Sequence, residues 1–429
     1  MRHLKVLATA FVAAALAAAP AAANPGHDGS RNQPVPQHHK QKKHTGSGTQ
    51  HRAGPADHRG APGPAGRAGT PEPRKPLSQA DREFVDATVE EAMREEHQPG
   101  MEISITGPRG SYTRTYGVSS LETGKPLTRA DHFRVGSITK TFTATAILRE
   151  VEKGNLQLSD TLDTWVSGIP NGSLITVRDL LSMQSGVFEY EADPTLSAEF
   201  DANPLMRIEP EDLVEIIRDN PPYFAPGTAR LYENSNYVLL GVILEDVTGE
   251  TAEAAIAKDV IEPLGLHHTS FPNGTPTLPT PFTQGYNLGE GGALRNSTEF
   301  NPNVFWTAGA IVSTLSDLSK WGRALGTGAL LSPEMWEERQ QFCPLPYAFE
   351  GPTEFGYGLG LISFGSWLGH DGSVPGSSTE TMYEPKTGAE ITGMENLQTP
   401  PLSIFSRVFE RIAAHLYPGS METPEYPVC

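Results

Sequence analysis

Two pairs of strand-like segments, set at opposite ends of a long helical stretch, constrain this chain more than any other feature. Met101–Thr106 and Ser111–Val118 read as strands joined at the turn-forming run Pro108-Arg109-Gly110. Far down the chain, Glu380–Tyr383 and Ala389–Met394 form a second pair around Pro385–Gly388. Between them the apolar spacing is helical: a long segment from Ser137 to about Glu152, shorter ones near 176–184 and 210–219, and an apolar one over Ser235–Thr248. Helices also bracket the strands. Ser78 stands as an N-cap ahead of Phe84, Val85, Val89 and Met93, in a helix to about His97, and an amphipathic run extends from about Ser403 to Leu416. The arrangement predicts an α+β fold whose two ends meet in one antiparallel sheet. There is no internal repeat.

The folded body starts near Leu77. Ahead of it, Arg2 and Lys5 flank the start of an apolar run, Leu4 to Ala19, and Ala21-Ala22-Ala23 offers a small-residue cleavage site. Residues 1–23 therefore read as a secretory signal peptide, and no cysteine follows to accept a lipid. Residues 24–76 are rich in Pro, Gly, Ala, His and Lys without apolar periodicity, and read as a disordered linker. Seven of the 13 histidines fall in residues 1–75, and a solvated spacer accounts for them better than a metal-binding tract. The body is expected over 77–418, with a short tail at 419–429. No later segment reaches the roughly 20 apolar residues a membrane span needs, so an exported chain without an integral membrane segment is expected. Net charge is −18, and residues 1–75 carry 11 Lys/Arg against 3 Asp/Glu, which leaves 22 against 48 in the body. Such an acidic body repels phosphate backbones, which argues against a nucleic-acid partner. Two cysteines are too few for a disulfide-built scaffold. As an even pair in an exported chain, Cys343 and Cys429 are expected to bridge.

Several chemistries lack their motifs. There is no Walker A sequence, no G-x-G-x-x-G fingerprint and no H-E-x-x-H, and His267-His268 are adjacent rather than a helical turn apart. No serine has glycine at both −2 and +2, so the nucleophile elbow of the α/β-hydrolases is missing. What remains is Ser137-Ile138-Thr139-Lys140, where a loop enters the long helix. One turn of helix brings the lysine to the serine's face. A serine hydroxyl needs a nearby base to take its proton as it attacks. Taken alone, the pair also fits an N-capping serine and a surface lysine. Yet Lys140 lies beside Phe142 and ahead of Ala146, Ile147 and Leu148, on a helix apolar over most of its circumference, and a buried lysine needs a reason.

Two further motifs supply one. Tyr232-Glu233-Asn234 precedes the Ser235–Thr248 helix, and His370-Asp371-Gly372-Ser373 precedes the last strands. Ser-x-x-Lys, Tyr-x-Asn and His-x-Gly in this order, 95 and then 138 residues apart, resemble the penicillin-recognising serine hydrolases. Class C β-lactamases and secreted D-alanyl-D-alanine carboxypeptidases are the nearest types. The runs Ile175–Ser182, Asn236–Gly241 and Ala308-Gly309-Ala310 before Ser313-Thr314 match as well, so the resemblance covers roughly residues 80–415. It implies a β-lactamase/transpeptidase-like α+β fold: an antiparallel sheet flanked by helices, an all-helical lobe, and the active site between them. It implies Ser137 as acylated nucleophile, Lys140 and Tyr232 sharing its proton, and Asn234 orienting Lys140 and holding the substrate amide. His370 lines the cleft, Gly372 stands beside it in the motif, and the backbone N–H groups of Ser137 and Ser373 form the oxyanion hole. A free tyrosine ionises near pH 10, so Tyr232 can serve as a base only if its surroundings depress that value.

The departures bear on substrate. Met183 stands where the family often has histidine. Ile362 follows Gly358-Leu359-Gly360-Leu361, where the nearest carboxypeptidases carry an arginine for the substrate's carboxylate. Asp371 replaces the usual neutral residue of His-x-Gly. The expectation is a secreted serine hydrolase working through a Ser137 acyl-enzyme, with neither cofactor nor metal. Its substrates are small peptides, esters or β-lactams, with peptidoglycan as a possible source. A D-alanyl-D-alanine carboxypeptidase-like peptidase that also reacts with β-lactams leads. A broad esterase or amidase and a dedicated β-lactamase are the alternatives within the family. A non-catalytic cell-wall peptide-binding protein is the alternative outside it.

Overall fold

The computed structural model describes residues 75–345, 355–399 and 403–427. The leader and most of the linker, residues 1–74, lie outside the described residues, as does Cys429. The chain ends meet as the strand spacing predicts. Strands β1 (Gly100–Gly107), β2 (Gly110–Gly117), β3 (Cys343–Pro344), β4 (Phe355–Tyr357), β5 (Ile362–Phe364), β6 (Trp367–Val374), β7 (Ser377–Glu384) and β8 (Ala389–Glu395) form one sheet. Its order is β2-β1-β8-β7-β6-β5-β4-β3. The junction of the two ends is the β1–β8 ladder, antiparallel with Ile103 opposite Gly393 and Ile105 opposite Ile391.

Helices α1 (Gln79–Glu95) and α7 (Ile404–Leu416) cover one face of the sheet. Ser78 caps α1 by accepting a hydrogen bond from the Asp81 amide at 3.1 Å. Val85, Val89, Phe405, Val408, Phe409 and Ile412 are fully buried with Ile105 and Ile391 in one core. Each such side chain stabilises the fold by about 1.5–3 kcal/mol through burial. The opposite face carries helix α6 (Leu315–Thr327), which approaches closely because it presents glycine. A Cβ on Gly322 would meet Thr381 at 2.0 Å, and one on Gly326 would meet Tyr383 at 2.4 Å.

The second core is helical. It gathers around α2 (Thr139–Lys153) and α5 (Ser235–Thr248), with the short α3 (Val177–Leu181) and α4 (Pro210–Asp219) packed outside. Ile138, Phe142, Ile147, Leu181, Tyr237 and Leu240 are fully buried there. Helix α2 starts at Thr139 and not at Ser137, because Gly136–Ile138 form a tighter 3₁₀ turn ahead of it. The segment after α7 packs rather than trails: Tyr426 donates to the Ser363 carbonyl at 3.0 Å, and Trp367 donates to Ser420 Oγ at 2.9 Å. Cys343 is disulfide-bonded. Among the described residues, no helix is long and apolar enough to cross a membrane.

Candidate active site

Strand β6 and the 3₁₀ turn of Ser137 meet at glycine, and that contact builds the site. A Cβ on Gly372 would lie 2.0 Å from the Val135 carbonyl oxygen and 2.8 Å from the Ser137 nitrogen. Gly136, at φ +53°, returns the fit: its Cβ would lie 2.6 Å from the Ser373 nitrogen. Only glycine lets the two backbones approach this closely. The amides of Ser137 and Ser373 are thereby brought beside one another at the mouth of the turn, where Ser137 is partly open to solvent and Ser373 exposed.

Lys140 lies at the floor, with no solvent exposure. Its Nζ stands 3.0 Å from Ser137 Oγ, 2.5 Å from Asn234 Oδ1 and 2.9 Å from the Ala308 carbonyl oxygen. Asn234 is held at the head of α5. Tyr232 sits two residues earlier, its phenol hydrogen-bonded to Ser137 and its ring centroid 5.0 Å from Lys140 Nζ. His370, buried in β6, places its ring 6.2 Å from that of Tyr232. Its Nδ1 is 2.6 Å from the Asp371 carbonyl oxygen and its Nε2 is 3.3 Å from Tyr357 Oη. Ser137, Lys140, Tyr232, Asn234, His370, Gly372 and Ser373 thus converge, although they come from three distant stretches of chain.

Burial acts on the two candidate bases in opposite directions. Loss of hydration pushes Lys140 down to about 8, against the pull of Glu191, Glu189 and Asp371. The same desolvation, with the Asp371 charge, pushes Tyr232 well above its ordinary value. The depression that a tyrosinate base requires is therefore absent at Tyr232. Asp371 is itself partly exposed, and its Oδ1 stands 3.4 Å from His370 Nδ1. Burial works to raise its pKa, but hydrogen bonding and charge from His370, with Lys140 behind, hold it below the usual carboxylate range.

A family profile described as Beta-lactamase matches residues 85–414. The chain belongs to the beta-lactamase family. Among its relatives is PbpX, a candidate penicillin-binding protein of Bacillus subtilis (strain 168), 32% identical over 64% of this chain and 63% of the relative. The alignment thus spans less than two thirds of that relative's length. Penicillin-binding protein 4* of the same organism is 27% identical over 68% of this chain and 67% of its own. A D-stereospecific amidohydrolase from Streptomyces sp. superposes with a TM-score of 0.69 at 28% identity, over 80% of this chain and 99% of that one. Members of the family with these names are serine hydrolases, and the fold is theirs.

Within this family setting, the departures take definite positions. Ile362 is buried in β5 opposite Gly369, in the core. Met183 is fully buried, and its Sδ accepts a hydrogen bond from Asn236 Nδ2 at 3.4 Å. Two groups escape the motif reading altogether. Glu189 and Glu191 lie on the loop that follows α3: Glu189 accepts from the Asn234 amide, both stand in electrostatic reach of Lys140, and burial pushes Glu189 up to about 8 and Glu191 to about 7. The run Ser185-Gly186-Val187-Phe188-Glu189-Tyr190-Glu191 carries one usable signal, a tyrosine between two acids in a loop. Tyr190 is fully buried, its hydroxyl donating to the Val304 carbonyl at 2.8 Å, and it turns both neighbours toward the site. Among the described residues, no group of three or more His, Cys, Asp or Glu side chains is placed to hold a metal.

Proposed function

We propose that the chain is a Ser137 acyl-enzyme hydrolase that cleaves small D-configured amides and peptides, with Lys140 as the base. The observation that carries this reading is the Lys140 Nζ position, 3.0 Å from Ser137 Oγ with Asn234 and Ala308 taking two other directions. A neutral amine donates to those two oxygens and turns its lone pair on the serine hydroxyl. A base that titrates at about 8 works near its best close to neutrality. As Ser137 Oγ adds to the substrate carbonyl, its proton passes to Lys140. The developing oxyanion faces the amides of Ser137 and Ser373. The C–N bond breaks as a proton reaches the leaving nitrogen by way of the Tyr232 phenol. Water then hydrolyses the serine ester and releases the acid. In this scheme Tyr232 remains a phenol that relays a proton, and His370 keeps its place through Tyr357 and its own strand.

The substrate half of the proposal rests on charge. Ile362 lies in the core where a carboxylate-binding arginine would be needed, and Asp371 presents a negative charge at the cleft. Both disfavour a substrate that carries its own carboxylate beside the scissile bond. Similarity to a D-stereospecific amidohydrolase supports an amide-cleaving role. Similarity to penicillin-binding proteins supports a second reading, the D-alanyl-D-alanine carboxypeptidase, and also acylation by β-lactams. The leader over residues 1–23 supports export, with cell-wall peptides as a natural source of substrate. Intact-mass analysis with a β-lactam and an activated ester tests the acyl-enzyme. A panel of a D-amino-acid amide, a D-Ala-D-Ala peptide, a chromogenic β-lactam and a short-chain ester tests the substrate. No covalent adduct and no turnover would leave a binding protein.

A further inference from the structure

Three oxygens surround the Lys140 amine, and one of them belongs to the backbone: the Ala308 carbonyl, 2.9 Å from Nζ. A carbonyl is aimed only by the turn that carries it. Here that is the single helical turn Trp306–Gly309, and it is laced to both helices of the site. Thr307 Oγ1 donates to the Tyr237 carbonyl of α5 at 2.8 Å, and the Thr307 carbonyl accepts from Thr143 Oγ1 of α2 at 2.8 Å. Just beyond the turn, the Ile311 amide donates to Thr139 Oγ1 at 3.1 Å. Thr139, Lys140 and Thr143 of α2 thus all bind one short segment, and the bend of that segment sets where the Ala308 oxygen points.

The bend is made at Trp306, whose φ is +33°. A bulky residue rarely enters the left-handed region, where its Cβ crowds the backbone, and it stays there only when its surroundings over-determine it. Two contacts do so here. The indole Nε1 donates to Glu253 Oε1 at 3.0 Å, on the short helix Ala252–Ile256. The ring, itself buried, lies against α5 where that helix presents glycine: a Cβ on Gly241 would stand 2.6 Å from Trp306 Cζ3 and 2.4 Å from Thr307 Oγ1. Backbone hydrogen bonds close the turn around the bend, from the Ala308 amide to the Phe305 carbonyl at 2.8 Å and from the Ala310 amide to the Trp306 carbonyl at 2.9 Å.

We propose that Trp306 is a positioning residue for Lys140: its indole, anchored on Glu253 and packed on Gly241, holds the backbone bend that aims the Ala308 carbonyl at the amine. The inference rests on Lys140 being the base for Ser137. With one N–H on Asn234 Oδ1 and the other on the Ala308 oxygen, the lone pair has one direction left, toward Ser137 Oγ. When the bend relaxes to a negative φ the carbonyl swings away, and the amine is free to turn its lone pair off the serine. The loss falls on the acylation step. The two amides that face the substrate oxygen stay where they are, so substrate binding is spared.

The test measures single-turnover acylation of the full chain by a chromogenic β-lactam or p-nitrophenyl acetate over a range of probe concentrations, so that the limiting rate and the half-saturating concentration are read separately. Trp306→Ala is expected to lower the limiting rate about tenfold or more and to keep the half-saturating concentration within about threefold of wild type. Partial misfolding has a different signature: it lowers the amplitude and leaves the rate of the folded fraction unchanged. Glu253 gives the same test without cutting a core side chain. Glu253→Leu removes the indole's acceptor and is expected to slow the limiting rate by about threefold to tenfold. Glu253→Gln keeps an oxygen acceptor and is expected to stay within about twofold of wild type. Crystal structures of Trp306→Ala and Glu253→Leu give a reading independent of turnover, with the Ala308 oxygen expected to leave hydrogen-bond distance of Lys140 Nζ. The inference is overturned if the limiting rates of both variants match wild type, or if the Ala308 oxygen keeps its contact in both structures. If Trp306→Ala does not fold, the Glu253 pair decides by the same criteria. If wild type acylates with neither probe, the proposed chemistry fails, and the crystal structures still decide whether Trp306 aims the carbonyl.

Discussion

Gly372→Ala isolates the contact on which the proposed acyl transfer would depend. Gly372 sits in strand β6 with ordinary extended backbone, so alanine meets no conformational barrier there. Its methyl group, however, would lie 2.0 Å from the Val135 carbonyl oxygen and 2.8 Å from the Ser137 nitrogen, both backbone atoms that cannot swing aside. Ordinary contact begins near 3.4 Å, so β6 and the nucleophile turn must part by more than an ångström. That movement separates the Ser137 and Ser373 amides. A misplacement of about 1 Å costs on the order of 100-fold, and loss of one oxyanion donor costs about 10²–10³-fold. Acylation is therefore expected to slow by about 10²–10³-fold, for an overpacking cost of about 1–3 kcal/mol in stability. Stopped-flow acylation by a chromogenic β-lactam or an activated ester measures the rate, and circular dichroism with a thermal melt checks the fold. Ser373→Ala is the control. It removes an exposed side chain and keeps the amide, so its rate should stay within about threefold of wild type. A folded Gly372→Ala that acylates within threefold would show that the close approach is not what aligns the donors.

Ser137→Ala is expected to fold normally and lose both turnover and covalent adduct by intact mass; labelling that persists would move the nucleophile elsewhere. Lys140→Ala and Tyr232→Phe are each expected to slow acylation by at least about 100-fold, and only Tyr232→Phe should keep the rising limb near pH 8. Burial raises Glu380 and Glu395 to about 8 and Glu390 to about 7, so in unfolded chains these groups lose protons first as pH rises. Stability should be greatest near pH 5 and fall steadily to pH 8, seen as a decreasing Tm, with a shallower fall in Glu395→Gln; a Tm that rises over this range would contradict the placement of these carboxyls. Capping the C-terminal carboxylate of a D-Ala-D-Ala peptide as its methyl ester should leave kcat/KM unchanged or higher, and a better than tenfold preference for the free acid would reveal a cation that the Ile362 and Asp371 positions do not supply.

What was legible in the sequence was whatever is specified locally. Helix α5 runs from Ser235 to Thr248 as its spacing predicts, because nearly every side chain in its first turns is buried and Gly249 ends it. The meeting of β1 with β8 followed from two strand pairs set at opposite ends of a helical stretch, each with one edge left to pair. Helix α6 is not among the helices expected from the sequence, although Leu315, Leu318, Trp321 and Leu325 mark one face at helical spacing and are buried. Glu189 and Glu191 had no comparable mark. An acid in a loop is solvated by default, and these two matter only because a buried Tyr190 turns their loop toward Asn234. Asp371 was legible as a departure, but its influence on Tyr232 and Lys140 depends on the side chain staying at the cleft beside His370.

The electrostatics of the site follow from one act, the removal of water from around Lys140 and Tyr232. Desolvation disfavours whichever form is charged, so it moves the lysine down to about 8 and the tyrosine up, which brings the amine within reach near neutrality beside a neutral phenol. A tyrosinate beside an ammonium would reverse this, but here it would sit against the Asp371 charge. Glu191, Glu189 and Asp371 oppose that shift at Lys140. In the proposed mechanism, the proton that Ser137 loses as it attacks creates an ammonium at Lys140, in reach of three carboxyl groups. Burial pushes Glu189 up to about 8 and Glu191 to about 7, so Asp371 is the one of the three that stays charged near neutrality, and in the proposed reaction the opposite charge, on the substrate oxygen, develops across the turn at the two backbone amides. The lysine's value near 8 is the balance of these effects: low enough for the amine to be present near neutrality, and high enough for it to accept the serine's proton.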